Sequence, residues 1–232
     1  MPDKKIVVLT GAGISAESGL ATFRDSGGLW EGYDINEVAT LSGWEKDPEK
    51  VLDFYNLRRT QAAEARPNPA HLALADLEEH FEVSLVTQNV DDLHERVGSK
   101  LVLHLHGELK KARSTRDDSV VIDIGSMPIK LGDVAEDGAQ LRPHVVWFGE
   151  MVPMIEPAAI EVSKADILIV IGTSLVVYPA AGLVDYAKPG IPKYIIDPSE
   201  PELMNQNEWV HIKEKAASGT PKLVEKLIKE FS

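Results

Sequence analysis

Not one of the 232 residues is cysteine. Disulfides, iron–sulfur clusters, thiol nucleophiles and every zinc site built on thiolates are excluded at once. The gap is neutral about compartment, because a chain without thiols folds alike in either redox state. Basic residues are also scarce: 24 Lys and Arg stand against 37 Asp and Glu, a net charge of −13. General affinity for nucleic acid or anionic lipid needs a basic surface, so neither partner is expected. No apolar run reaches the roughly 18 residues of a membrane span, and residues 6–9 are too short for the core of a signal peptide. A cytoplasmic protein is expected.

What is present reads as a globular domain. Hydrophobic residues make up 44% and charged residues 26%, a balance that argues against disorder. Short, continuous apolar runs at 6–9, 83–87, 101–105, 145–148, 167–171 and 194–196 read as strands buried on both faces, as in a parallel sheet. Helical stretches fall between them at 48–65, 69–80, 156–164, 180–187 and 221–231. Pro67-Asn68-Pro69 breaks the first, and Thr220 offers a cap for the last. This alternation predicts an α/β fold, a Rossmann-like doubly wound parallel sheet. Residues 110–142 differ, with many charges, scattered glycine and only fragments of β-favouring sequence. They read as a small inserted module in a single domain spanning 1–232, beside a helical insertion around 31–80.

Chemistry concentrates where such a sheet ends its strands. Gly11-x-Gly13-x-x-Ala16 follows the first strand and fits a dinucleotide fingerprint, its glycines permitting close backbone approach to a pyrophosphate. The second-strand acid by which a dehydrogenase holds its ribose is missing. Thr22-Phe23-Arg24-Asp25-Ser26-Gly27-Gly28-Leu29-Trp30 follows instead, so the nucleotide is expected under a long covering loop. Gln88, Asn89 and Asp91 close another strand and can hydrogen-bond ribose hydroxyls or a carboxamide; Asn89 or Asp91 can equally cap the next helix. His104 and His106 share a face at strand period, without an evident third ligand nearby for a metal. His106, before Gly107, is a candidate general base because imidazole titrates near neutrality. Residues 142–150 read as an extended edge that accepts a peptide by strand addition, or as a plain core strand. Gly172-Thr173-Ser174 forms another backbone-exposing turn suited to a nucleotide.

Taken together, GAGISAESG, TFRD, TQNVDDLHE, HGEL, VVWFGE and GTSLVVYPAA, in this order, resemble the sirtuins, the NAD-dependent protein-lysine deacylases. The resemblance implies a sirtuin-type catalytic domain that uses NAD and acts on acylated lysine side chains of proteins. Gly11, Ala12, Gly13, Phe23, Arg24 and Trp30 would line the phosphates and nicotinamide ribose. Gln88, Asn89 and Asp91 would hold the ribose and carboxamide, with Asn89 and His106 catalytic and His106 the base. Gly172, Thr173 and Ser174 would contact the adenosine half, and Asp197 and Ala217 its adenine end. Val146, Phe148, Gly149 and Glu150 would meet the substrate. In the implied reaction the acyl oxygen attacks C1′ of the nicotinamide ribose, nicotinamide leaves, and the 2′-oxygen takes the acyl group. A protein ADP-ribosyltransferase and a non-catalytic NAD or acyl-lysine binding module are the alternatives.

Two features set this chain apart. Most sirtuins hold a structural zinc on two Cys-x-x-Cys pairs; here Ser114-Thr115-Arg116-Asp117 stands at the first pair, and residues 110–142 hold neither Cys nor His. A module without zinc is expected, held by its own hairpin and by packing. On helix 48–65, Val51, Phe54, Tyr55 and Ala62 form an apolar stripe with Arg58 in its middle and Arg59 toward its edge. A buried arginine usually needs an anionic partner, and an internal Asp or Glu is the plain choice. The resemblance adds another: Tyr55-x-x-Arg58 looks like the class III sirtuin pair that reads acidic acyl groups. Deacetylase and desuccinylase or demalonylase activities are then both expected.

Overall fold

A computed structural model describes residues 4–21, 29–30, 32–201 and 206–231. The chain runs β1 (Lys5–Thr10), α1 (Gly13–Ala16), β2 (Leu29–Trp30), β3 (Tyr33–Asp34), α2 (Ile35–Val38), α3 (Leu41–Lys46), α4 (Pro48–Glu64) and α5 (Pro69–Leu77). It continues with β4 (Glu82–Thr87), α6 (Leu93–Arg96), β5 (Val102–His104), β6 (Gly107–Ser114), β7 (Val121–Asp123) and β8 (Leu141–Val145). The last third holds α7 (Ile155–Lys164), β9 (Ile167–Ile171), a 3-10 segment (Ala180–Tyr186), β10 (Lys193–Ile196), β11 (Trp209–Ile212) and α8 (Ala216–Phe231). Among the described residues no helix is long and apolar enough to cross a membrane.

The six-stranded parallel sheet has the order β11-β10-β9-β1-β4-β5, so the chain leaves β1 in one direction and returns to its other side. This is the doubly wound order. Val8 of the central strand lies between Leu85 of β4 and Ile169 of β9. Ile6 and Val8 point to a layer formed by α5 and α8, where Leu74, Leu77, Leu223 and Leu227 are buried. Val7 and Leu9 point to the other layer, with Ala158 and Val162 of α7 and Leu183 of the 3-10 segment. Burial on both faces is why these strands are apolar without alternation.

Several expectations are corrected. The apolar run 145–148 is not a strand of the large sheet; β8 ends at Val145 and pairs antiparallel with β6 in a separate sheet of order β7-β6-β8. Residues 180–186 form a 3-10 helix rather than an α-helix. α8 begins at Ala216, so Thr220 is buried within the helix and is not its cap. α5 packs on the large sheet, with Ala70, Leu74 and Leu77 in the core shared with β1, β4 and β9.

The small sheet and α4 form a second packing centre. Leu52 of α4 is buried with Ala112, Ile124, Ile129 and Leu141 of the small module. Asn56 pins the two together, donating to the Ile129 carbonyl at 2.8 Å and accepting the Ile129 N–H at 2.9 Å. Asp47 caps α4 by accepting the Lys50 N–H, with Pro48 in the first turn.

Candidate active site

Ligands of open α/β sheets bind outside the carboxyl ends of the strands, where the winding reverses. Here that point lies between β1 and β9. The Gly11 N–H donates to the Ile171 carbonyl at 3.0 Å and the Gly13 N–H to the Gly172 carbonyl at 2.9 Å. A Cβ on Gly13 would stand 2.6 Å from Gly172 Cα, and one on Gly11 2.6 Å from Thr173 Cβ. Gly172 itself has a φ of 64°. The two turns therefore pack more closely than a side chain at Gly11 or Gly13 would allow, which brings their backbones together at the sheet edge. That cradle fits a dinucleotide.

Polar side chains close over these turns. Gln88 Nε2 donates to Thr173 Oγ1 at 3.2 Å, across the end of β1. Asn89 Nδ2 donates to the Gly11 carbonyl (3.2 Å) and to Ser15 Oγ (3.1 Å), and Ser15 Oγ donates to Asp91 Oδ2 (3.1 Å). Burial pushes the Asp91 carboxyl up, against the Leu93 N–H and the Ser15 hydroxyl, which favour its ionised form. The Leu93 N–H to Asp91 Oδ1 bond, 3.2 Å, ties Asp91 to the start of α6 as well. Ser15 went unnoticed in the sequence, since nothing local separates it from any serine after a glycine turn.

His106 lies in the turn after β5. A carbonyl only accepts, so the 3.0 Å contact with the Gln88 carbonyl places a proton on Nδ1 and leaves the Nε2 lone pair bare. Burial pulls the His106 pKa below the ordinary histidine value, with the Gln88 carbonyl opposing. The neutral, proton-accepting form is the one present at neutral pH. The His106 carbonyl accepts the Val146 N–H at 2.9 Å, joining His106 to the loop after β8.

In that loop Phe148 donates its N–H to the Ala39 carbonyl at 2.9 Å, and the residue is 47% exposed. Gly149 turns the chain with a φ of 90°. Glu150, expected to meet substrate, turns inward. Its Oε1 accepts from Arg142 Nη1 (2.7 Å) and Arg113 Nη2 (3.2 Å), and its Oε2 from Arg142 Nη2 (3.1 Å) and the Trp147 N–H (2.7 Å). Both carboxylate oxygens hold the loop itself.

A profile of the Sir2 family matches residues 11–179, from the first glycine turn to beyond the second. The chain belongs to the Sir2 family. It is 53% identical over 229 residues to an NAD-dependent protein deacylase of Helicobacter pylori strain J99, covering 99% of this chain and 97% of that one. A protein of the same description from Bacteroides thetaiotaomicron is 52% identical over 231 residues, covering 97% and 98%. A crystal structure of a Sir2 homologue in complex with NAD superposes with a TM-score of 0.89 at 43% identity, covering 99% of this chain and 91% of that one. A Sir2 structure with a p53 peptide and NAD+ gives 0.76 at 28% identity, covering 97% and 92%.

Within this Sir2 chain the other expected residues fall as follows. Ala12 stands between the two glycines, and Ser174 follows Thr173 on the opposing turn. Asp197 directly follows β10 at the same sheet edge; its Oδ1 accepts the Ser199 N–H (2.9 Å) and its carbonyl accepts from His211 Nε2 (2.9 Å). The Ala217 N–H donates to Glu17 Oε2 at 2.9 Å, bridging α8 to the turn after α1. Phe23 and Arg24 lie outside the described residues, as does the side chain of Trp30.

Tyr55 and Arg58 lie one turn apart on the buried face of α4. The Tyr55 ring is 6.4 Å from that of Trp147 in the loop after β8, and burial pushes its phenol up, keeping it a neutral donor. Arg58 is 7% exposed, with Nη1 at 3.4 Å from the Ala21 carbonyl. Arg59, expected toward the edge of the stripe, is deeper at 2%. It donates from Nε to the Leu109 carbonyl (2.6 Å) and from Nη1 to Asn56 Oδ1 (2.7 Å), and burial lowers its pKa to about 10. α4 is covered on two sides, by the aromatic cluster and by the small module, so its buried face is wider than one stripe.

His104 does not pair with His106. Its Nδ1 contacts the Asn89 carbonyl at 2.9 Å and its Nε2 contacts Glu95 Oε1 at 2.7 Å. Glu95 and Glu108 each bring an oxygen close to it, all three atoms lying within 4.8 Å of one another, and His106 is not part of this group. Lys111 and Lys110 already stand on Glu108, at 2.5 and 3.8 Å, and supply the positive charge there.

The zinc of other sirtuins does not suit the residues at its expected place. Ser114 Oγ donates to Asp137 Oδ2 at 2.6 Å and accepts the N–H groups of Arg116 and Asp117. Asp137 Oδ1 accepts the Ala139 N–H, and its carbonyl accepts from Arg116 Nη1. A hydrogen-bonded hub of neutral and acidic oxygens stands where soft thiolates would be needed.

Proposed function

We propose that this chain is an NAD-dependent protein-lysine deacylase that removes acetyl groups and, through Tyr55 and Arg58, the short acidic succinyl and malonyl groups. The observation that carries the reading is His106: a half-buried, neutral imidazole whose Nδ1 proton is fixed on the Gln88 carbonyl and which is bonded through its own carbonyl to the loop at Val146.

NAD, when bound, supplies an electrophilic ribose carbon and a hydroxyl that can receive the acyl group. The backbone of Gly11, Ala12, Gly13 and Gly172 takes the diphosphate side. Asn89 is held by Gly11 and Ser15, and Gln88 by Thr173, which fixes the two side chains that would meet the ribose and carboxamide. His106 Nε2 takes a proton from the ribose hydroxyl. Val146, Phe148 and Gly149 offer backbone and apolar surface to the peptide that carries the acyl-lysine. Burial around Trp147 and Tyr55 keeps water from the reacting groups. Water is consumed only after the 2′-oxygen has bonded the acyl carbon and the lysine amine has left, and the products are free lysine, nicotinamide and 2′-O-acyl-ADP-ribose.

Arg58 presents a planar guanidinium, which matches a carboxylate bidentately, and the Tyr55 hydroxyl stands one turn away on the same face. Nicotinamide release with acetyl-, succinyl- and malonyl-lysine peptides tests the whole reading. Release that depends on an acylated peptide supports it. Release without one, accompanied by labelling of protein, would make the chain an ADP-ribosyltransferase, and binding without release would make it a non-catalytic module.

A further inference from the structure

His104 and His106 hold consecutive carbonyls. His106 Nδ1 reaches that of Gln88 at 3.0 Å, and His104 Nδ1 that of Asn89 at 2.9 Å. His104 goes further, because its Nε2 meets Glu95 Oε1 at 2.7 Å. A carbonyl and a carboxylate are both acceptors, so both ring nitrogens of His104 must carry hydrogen, and the ring is an imidazolium. Burial opposes that charge, but the bond and charge of Glu95, the Asn89 carbonyl and Glu108 outweigh it, and the His104 pKa ends above the ordinary histidine value. For Glu95 burial works upward and His104 outweighs it, leaving the carboxyl below its usual range. Two histidines on one short segment thus stand in opposite protonation states.

We propose that His104, charged and paired with Glu95, is a positioning residue that clamps the Asn89 carbonyl and so holds Asn89 and the Gln88–His106 contact in register for the reaction. What that segment does rests on the deacylase reading; the clamp itself does not. The Gln88 and Asn89 carbonyls belong to successive rigid peptide planes, so turning one shifts the other. The far end of the clamp is on α6, which starts directly after Asp91 and Asp92, so it closes a small ring of chain around the site. The other ionisable groups acting on the pair are Glu108 and Lys110 from β6, and Asp91 and His94 from the segment before and within α6. His94, lowered to about 3 by burial, is neutral there.

When the pH rises far enough for His104 to lose a proton, one N–H must serve two acceptors. The carboxylate is the stronger, so the Asn89 carbonyl is released. Glutamine at position 95 removes the conflict: its amide can donate to Nε2, leaving the Nδ1 proton for Asn89 at any pH.

The test joins protonation to turnover. In nitrogen-15 NMR of the whole protein at neutral pH, His104 should show protons on both ring nitrogens and His106 on one. Wild-type kcat should fall on the alkaline side with KM for the acyl peptide unchanged. Glu95→Gln should abolish that fall, and His104→Phe should lower kcat roughly ten- to a hundredfold at every pH, as expected for a misplaced reacting group. Thermal unfolding of both variants separates lost position from lost fold. A singly protonated His104 at neutral pH, or an alkaline fall that persists in Glu95→Gln, overturns the clamp. A chain that releases no nicotinamide loses the deacylase reading, while the protonation of His104 still decides the clamp.

Discussion

The guanidinium carbon of Arg142 lies 3.3 Å from the centre of the Trp147 ring. Stacked there, Arg142 grips both oxygens of Glu150 and the Val145 carbonyl, and Glu150 in turn holds the Trp147 N–H. The loop that exposes Phe148 is closed by its own ion pair, with an aromatic ring as its base. Burial pulls the Arg142 pKa down and Glu150 restores part of it, so neither partner is stable there alone.

Glu150→Ala should therefore destabilise the protein and loosen the loop together. Removing one partner of a buried pair costs about 3–5 kcal/mol, because the other charge is left uncompensated. Denaturant unfolding should show that loss, and KM for the acyl peptide should rise while KM for NAD stays in place. A rise in both constants would place Glu150 in the nucleotide site instead.

His106→Ala should abolish deacylation, by about 10²–10⁴-fold, while NAD still binds. In the wild type, activity needs the neutral ring. The lowered His106 pKa puts the acid limb of kcat/KM below the ordinary histidine value, with activity lost as the pH falls through it. An acid limb above that value would assign it to another group.

Arg58→Met should reduce desuccinylation far more than deacetylation. A charge-assisted bond contributes roughly 1.5–3 kcal/mol, or about tenfold and upward in kcat/KM for the acidic substrate alone. Equal loss on acetyl and succinyl peptides would make Arg58 structural, as Arg59 is through its bond to the Leu109 carbonyl.

The small module should fold without metal. Chelator should leave activity and unfolding temperature unchanged, whereas Ser114→Ala should lower stability. Ser114 accepts two backbone N–H groups and donates to Asp137, and each such hydrogen bond contributes roughly 0.5–1.5 kcal/mol. Stoichiometric zinc in the purified protein would contradict this.

His71 and His94 pack at 5.0 Å between ring centres beneath the active site, and Thr10 Oγ1 contacts His94 Nε2 at 3.2 Å. Burial lowers their pKa values to about 4 and about 3. The unfolded chain protonates both near the ordinary histidine value, the folded chain only at those lower ones. Below neutral pH the unfolded state therefore binds more protons, and stability falls by about 1.4 kcal/mol per pH unit for each histidine until the folded value is reached. Urea midpoints taken from neutral to acid pH should show this slope, and His71→Gln/His94→Gln should flatten it. An unaltered slope in the double variant would assign acid sensitivity to the carboxylates.

The parts of the fold that could be read from sequence are those with both faces buried. β1, β4, β9 and β10 are runs such as Ile6-Val7-Val8-Leu9, where no alternative to the sheet interior exists. β8 was misplaced because the run after His144 says apolar without saying which sheet. Its true start includes Arg142 and Pro143, residues that an edge strand tolerates. β11 gave no signal, since Val210 is exposed and its neighbours are half-covered. At the site, Gly13, Asn89 and His106 were legible because each sits at a strand end beside a turn. Ser15, Glu95 and Arg142 were not, because their work is done on partners far away in the chain.

The backbone contact between Gly13 and Gly172 also sets an order in time. A ribosome releases the first glycine turn long before the second. Until the chain has been made past residue 172, β1 lacks β9 on one side, and Val7 and Val8 have no parallel partner there. The nascent protein thus carries an open apolar seam through most of its synthesis, a surface that invites chaperones and, at high concentration, aggregation. The nucleotide crevice cannot exist before that seam closes, so a half-made chain has no means of binding the ligand that would steady it.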